Sequence, residues 1–100
     1  MEKENYKNMD NMELHKVLCD KIHETCVRKN KDYGDSAAQT YKKYGMVSYL
    51  VRMEDKISRI KSLTFDKHDQ LVKDESVLDS LLDLSNYALL AAIDLIKENN

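Results

Sequence analysis

One hundred residues with 34% charged side chains, two glycines, no proline and a net charge of −2 make one domain of about the commonest size, with a modest core. With no proline, two glycines and two cysteines, that composition points to long helices with few breaks; the net charge itself says little, and no direct binding to DNA is expected. The charge is unevenly spread: from Arg28 to Lys61 nine Lys/Arg stand against four Asp/Glu, and from Ser62 onward three Lys stand against eight Asp/Glu.

The first nine residues are polar and expected to fray. Asp10 then offers a helix N-cap with Glu13 three residues on, and Leu14, Val17, Leu18, Ile22, Cys26 and Val27 follow at helical spacing. A helix is predicted over 11–30. "KNKDYGDS", Lys29 to Ser36, is the predicted stop, because Asn30 and Gly34 tolerate left-handed backbone and Asp32 and Asp35 favour turns. Asp35 or Ser36 caps a short second helix that ends at Gly45. A third helix is predicted over 46–63, with an apolar stripe of Met46, Leu50, Met53, Ile57 and Ile60 and with Arg52, Lys56 and Arg59 on the opposite face. After a polar connection, a fourth helix runs over 74–97 with a broad core arc from Val77, Leu78, Leu81 and Leu84 to Ala88, Ala91, Ala92 and Leu95. No segment alternates with period two. The fold class is therefore all-α, a small antiparallel bundle of about four helices.

Cys19 and Cys26, seven apart on the first helix, lie beyond disulfide reach, so free thiols in a cytoplasmic protein are the expectation. His15, Cys19, His23 and Cys26 share a helix face, but neighbours four apart supply at most two ligands to a tetrahedral zinc, so packed thiols are the better reading. No apolar run nears the ~20 residues that span a bilayer, and no membrane contact is expected.

On the fourth helix Glu75, Asp79 and Asp83 are spaced four apart, with Asn86 three further on. Like charges at that spacing weaken a helix by a few tenths of a kcal/mol per pair, so a compensating cation is expected. A divalent ion such as Mg²⁺ is one candidate. Basic side chains of the third helix are the other. Arg52, Lys56 and Arg59 lie along one face there and suit a polyphosphate. Of the adjacent pair Glu54 and Asp55, Glu54 is nearer the apolar edge and better placed to face the acidic stripe.

"KNKDYGDS", "RMEDKISRIKSL" and "ESVLDSLLDLSNYALLAAI", in that order, resemble a phage and bacterial family of nucleotide-modification-associated domains over roughly residues 20–96. The most specific elements are K-x-x-D-Y at Lys29–Tyr33 and D-x-x-N-Y at Asp83–Tyr87. That family is similar to the all-α NTP pyrophosphohydrolases of the MazG and dimeric dUTPase type. The resemblance implies a homo-oligomer, dimeric or larger, that binds a nucleotide through carboxylates and Mg²⁺. Glu54, Glu75, Asp79 and Asp83 would be the metal ligands, with Glu54, Asp79 and Asp83 as the catalytic set. Lys31, Asp32, Tyr33, Arg52, Lys56, Arg59 and Asn86 would hold the nucleotide. The chain departs from the pyrophosphohydrolase pattern: Ser80 stands where E-x-x-D requires Glu, and Glu54 has Ile57 three residues on and Val51 three before. The expectation is nucleotide binding with two fates open. One is Mg²⁺-dependent hydrolysis to a monophosphate and pyrophosphate. The other is capture without turnover, by a phage-type protein that sequesters a cyclic or modified nucleotide signal. A purely structural helical oligomer is the remaining reading.

Overall fold

The computed structural model describes residues 6–33, 36–66 and 70–98, with side chains at 6–31, 36–66 and 75–98. The described residues form α1 (Asn11–Tyr33), α2 (Ser36–Tyr44), α3 (Val47–Phe65) and α4 (Gln70–Glu98), with no strand among them. Of the nine residues expected to fray, 1–5 lie outside the described set, and the Met9 N–H donates to the Tyr6 carbonyl at 3.2 Å.

Asp10 caps α1 as its position predicts. Its Oδ1 accepts from the N–H of Met12 at 2.9 Å and of Glu13 at 3.0 Å, and these donors, Glu13 foremost, hold its carboxyl below the ordinary value. The helix runs three residues past its predicted end at Asn30, to Tyr33. Lys29 to Asp32 contain no helix breaker, and the first residue that strongly opposes a helix is Gly34, which lies outside the described residues along with Asp35.

Gly45 ends α2. Its φ is +75°, its N–H donates to the Tyr41 carbonyl at 2.7 Å, and its own carbonyl accepts the Ser48 N–H and hydroxyl at 3.1 and 2.9 Å. This is the left-handed residue that closes one helix and seats the next. A Cβ there would meet no atom within 4 Å, so the glycine is needed for backbone angle alone. Gly45→Ala is expected to cost about 1 kcal/mol and Gly45→Asn less, read as urea midpoints with an unchanged slope.

α3 and α4 pack antiparallel as the main contact of the fold. α1 lies against α4, and α2 bridges α3 and α4. The connection between α3 and α4 is shorter than the predicted polar stretch, since α3 continues to Phe65 and α4 begins at Gln70. The Asp66 N–H closes the α3 terminus on the Ser62 carbonyl at 2.9 Å.

The seam between α3 and α4 differs from the predicted stripes. The fully buried side chain of α3 is Tyr49, absent from the predicted stripe; on α4 the buried residues are Ser80 and Ala91. Arg52 and Lys56, expected on the far side of α3, are half-buried and turn toward α4, whereas Leu50 and Ile57 are 49% and 42% exposed. The reason is chemical. Tyr49, Arg52 and Lys56 each find a partner across the seam, which turns the helix away from its most apolar line.

The stretch Glu75–Glu98, with a mean hydropathy of 1.3 in its best window, has the length and composition to cross a membrane, against the expectation that no segment reaches it. Asp83 and Asp94 on that same helix are engaged by α3, as described next.

Candidate functional site

Antiparallel packing of α3 on α4 sets three pairs in a row. Tyr49 donates its hydroxyl to Asp94 Oδ2 at 2.5 Å, the Arg52 guanidinium lies 5.7 Å from the centre of the Tyr87 ring, and Lys56 Nζ stands 3.0 Å from Asp83 Oδ2. At the end of the row Tyr41 of α2 donates to Glu98, and its ring meets Tyr49 at 5.8 Å between centroids. Burial, reinforced by the hydrogen bond to Asp94 and that residue's negative charge, pushes the Tyr49 phenol far above its ordinary range. The bond to Glu98 raises Tyr41 as well.

Lys56 answers the question raised by the acidic stripe. A basic side chain of α3 compensates Asp83, as one of the two expected arrangements requires. With the two side chains 27% and 37% exposed, the pair is worth about 1 kcal/mol or less. Asp83→Asn is therefore expected to lower stability by no more than that. The loss should shrink when urea titrations are repeated at high salt, as screening predicts.

Of the clefts that open along this row, two are walled by α1. The larger, about 500 Å³, is lined by Cys26, Lys29 and Asn30 of α1, by the first residues of α2, by Tyr49 and Arg52, and by Asn86, Tyr87, Leu90, Asp94 and Lys97 of α4. The smaller, about 280 Å³, lies between α1 and α4 and is lined by Lys21, Ile22, Thr25, Lys29, Asp79, Leu82, Asp83 and Asn86. Lys29 and Asn86 line both, so the clefts adjoin. The larger cleft presents Lys29, Arg52 and Lys97 together with Tyr49 and Tyr87, and the smaller presents Lys21, Lys29, Asp79 and Asp83.

The expected residues fall into three groups. Arg52, Asn86, Asp79 and Asp83 line the clefts. Lys56 reaches the site through Asp83. Glu54, Arg59, Glu75 and Lys31 are exposed and line neither cleft. Glu54 follows Arg52 by two residues, roughly 160° around the helix axis, which carries it away from the stripe it was expected to face. The side chains of Asp32 and Tyr33 lie outside the described residues.

Lys29, Tyr87, Asp94 and Lys97 were not among the expected site residues. Lys29 and Tyr87 had a signal, since they open and close the two short motifs. Asp94 and Lys97 had none, because only the folded hairpin carries the end of α4 to the start of α3.

A protein-held Mg²⁺ needs several oxygens around one point. Among the described residues no group of three or more His, Cys, Asp or Glu converges in that way, and Asp83 already faces an ammonium group. The described side chains do not form a Mg²⁺ cage.

The family model for nucleotide modification associated domain 1 matches residues 29–95. The chain belongs to that family. No curated protein and no solved structure matches. The matched region begins at Lys29 and includes Asn86 and Tyr87, so both cleft-lining motifs fall inside it. The family's description associates it with nucleotide modification, and the site carries the groups that a nucleotide would use: cations, an aromatic face and an amide.

Proposed function

We propose that this chain binds a phosphorylated nucleotide in the larger cleft and holds it without cleaving it. Lys29, Arg52 and Lys97 take the phosphates, Tyr87 offers its face to the base, and Asn86 supplies both a donor and an acceptor to its edge. The observation that carries this reading is Arg52 over Tyr87, 5.7 Å from the ring centre, on the wall of a cavity of about 500 Å³ with two lysines. That volume falls within the range of small-molecule sites.

Capture is favoured over hydrolysis by the state of the carboxylates. Asp83 is engaged by Lys56, while Glu54 and Glu75 are exposed outside the clefts. In this reading Mg²⁺ is the counter-ion that travels with the ligand's phosphates. A sequestering role toward a cyclic or modified nucleotide signal, as in a phage protein acting in a host cytoplasm, is the fate most consistent with retention. Asp79 and Asp83, one turn apart on the wall of the smaller cleft, support the second reading, a pyrophosphohydrolase similar to the MazG type.

The purified chain is incubated with a panel of nucleoside triphosphates and cyclic nucleotides, with and without Mg²⁺. Products are separated by chromatography, and bound ligand is recovered by heating. Intact nucleotide released from the denatured protein supports capture. Monophosphate and pyrophosphate would replace capture with hydrolysis. Binding of no panel member would overturn both.

A further inference from the structure

We propose that the ligand is a dinucleotide with two phosphates, held across two joined clefts, its second nucleoside in a compartment built by α2 and the end of α4. The inference rests on the proposed capture of a nucleotide in the larger cleft and extends it to a place outside that cleft. A third cleft, about 520 Å³, is walled by Tyr41 and Lys42 of α2, by Gly45 after them, and by Asp94, Lys97 and Glu98 of α4. Ala38, Asp94 and Lys97 line both this cleft and the larger one, so the two spaces adjoin.

The third cleft repeats the chemistry of its neighbour. The larger has Tyr87 with Lys29, Arg52 and Lys97, and the third has half-buried Tyr41 with Lys42 and Lys97. Carboxylates line the third cleft too, but phenols engage them: Tyr49 donates to Asp94 and Tyr41 to Glu98. Among the described residues the ion pairs are Lys16 with Asp20 and Lys56 with Asp83, so Lys42 and Lys97 keep their charges for an anion. A Cβ at Gly45 would meet no atom within 4 Å, so the cleft is open beside the turn into α3.

Length favours one ligand across both spaces. Lys97 follows Tyr87 by ten residues, roughly 15 Å along the axis of α4. A base stacked on Tyr87, with its sugar and phosphate, ends within reach of Lys97 and leaves the third cleft empty. Each cleft has the volume of a small-molecule site by itself. A second nucleoside joined through that phosphate fills the remaining space. Lys97, at the junction, takes the linking phosphate, and Lys29 and Arg52 take the other. Asp94, also at the junction, is an acceptor and suits a sugar hydroxyl.

The test is isothermal titration of the full chain with linear 5′-phosphorylated and cyclic forms of diadenylate and diguanylate, and with AMP, GMP, ATP and GTP. Circular dichroism accompanies every variant. One dinucleotide per chain is expected, bound at least about 100-fold more tightly than a mononucleotide of the same base, the gain of joining two half-sites. Tighter binding of either the linear or the cyclic form supports the proposal and tells which form fits. Lys42→Glu and Tyr41→Ala are expected to weaken dinucleotide binding at least about tenfold and to leave mononucleotide binding unchanged, whereas Arg52→Ala weakens both. Lys42 is exposed, so its variant carries the comparison if Tyr41→Ala loses helix. Mononucleotides bound as tightly as dinucleotides overturn the proposal and leave capture in the larger cleft standing. So do third-cleft variants that bind dinucleotides like the wild type or lose both classes equally. Binding of neither class overturns this proposal together with the capture on which it rests.

Discussion

Replacing Arg52 by alanine is expected to weaken nucleotide capture by about 10- to 150-fold, with helix content unchanged. A charge-assisted hydrogen bond to phosphate contributes about 1.5–3 kcal/mol, and Arg52 supplies a planar donor already oriented by the Tyr87 ring. Arg52→Lys is expected to recover part of the loss, since it keeps the charge but not the flat stacked fork. Tyr87→Phe should preserve affinity if the ring face is what matters, and Tyr87→Ala should not. Isothermal titration with whichever panel nucleotide binds the wild type reads all four. An Arg52→Ala variant that binds as well as wild type would remove the larger cleft from the proposed function. Because Arg52 is half-buried at the seam, thermal melts must accompany the titrations to separate lost contacts from lost structure.

The second large effect concerns stability. Tyr49→Ala is expected to cost about 3–5 kcal/mol, a large part of what a chain of this length has to lose. Tyr49 is 1% exposed, and Tyr49 and Ala91 are the buried apolar side chains among the described residues. Tyr49→Phe keeps the ring and is expected to cost about 1–2 kcal/mol, mostly by leaving Asp94 without its donor.

The same phenol sets an alkaline limit. Its folded pKa lies above the ordinary 10.0, so below that pH the buried neutral form contributes its full stability. As pH rises past 10.0 the unfolded chain releases the proton and the folded chain does not, so stability declines progressively until the folded group ionises as well. Urea midpoints measured at rising alkaline pH should therefore fall, and Tyr49→Phe should flatten the fall. An equally steep decline in the Phe variant would place the effect elsewhere, with Tyr41 as the next group to test.

The all-α class and the order of the helices were legible because no proline and few glycines interrupt long periodic runs. Gly45 marked one boundary by its backbone demand alone. Rotation of the helices about their axes was not legible. Hydrophobic periodicity locates an apolar stripe, but Leu50, Met53 and Ile57 do not say which edge of that stripe meets α4. Pairwise chemistry decided it, through Tyr49 with Asp94, Arg52 with Tyr87 and Lys56 with Asp83. For the same reason the acidic stripe revealed that Asp83 needed a cation, while only the fold showed that Lys56 supplies it. Glu54 was the residue most affected: its place near the apolar edge suggested that it faces the acidic stripe, and the turn of the helix leaves it exposed outside both clefts.

The seam between α1 and α4 is thinner than that between α3 and α4, and α1 supplies one wall of both clefts. The molecule therefore has two tiers of cooperativity. Amide protons of α1 should exchange with solvent through partial openings that leave the hairpin intact, while those around Tyr49 and Ala91 wait for global unfolding. A ligand bridging Lys29 to Arg52 would tie the outer tier to the inner one. Occupancy would then register as slowed exchange along the inner face of α1, and ligand escape would be timed by the opening of that helix.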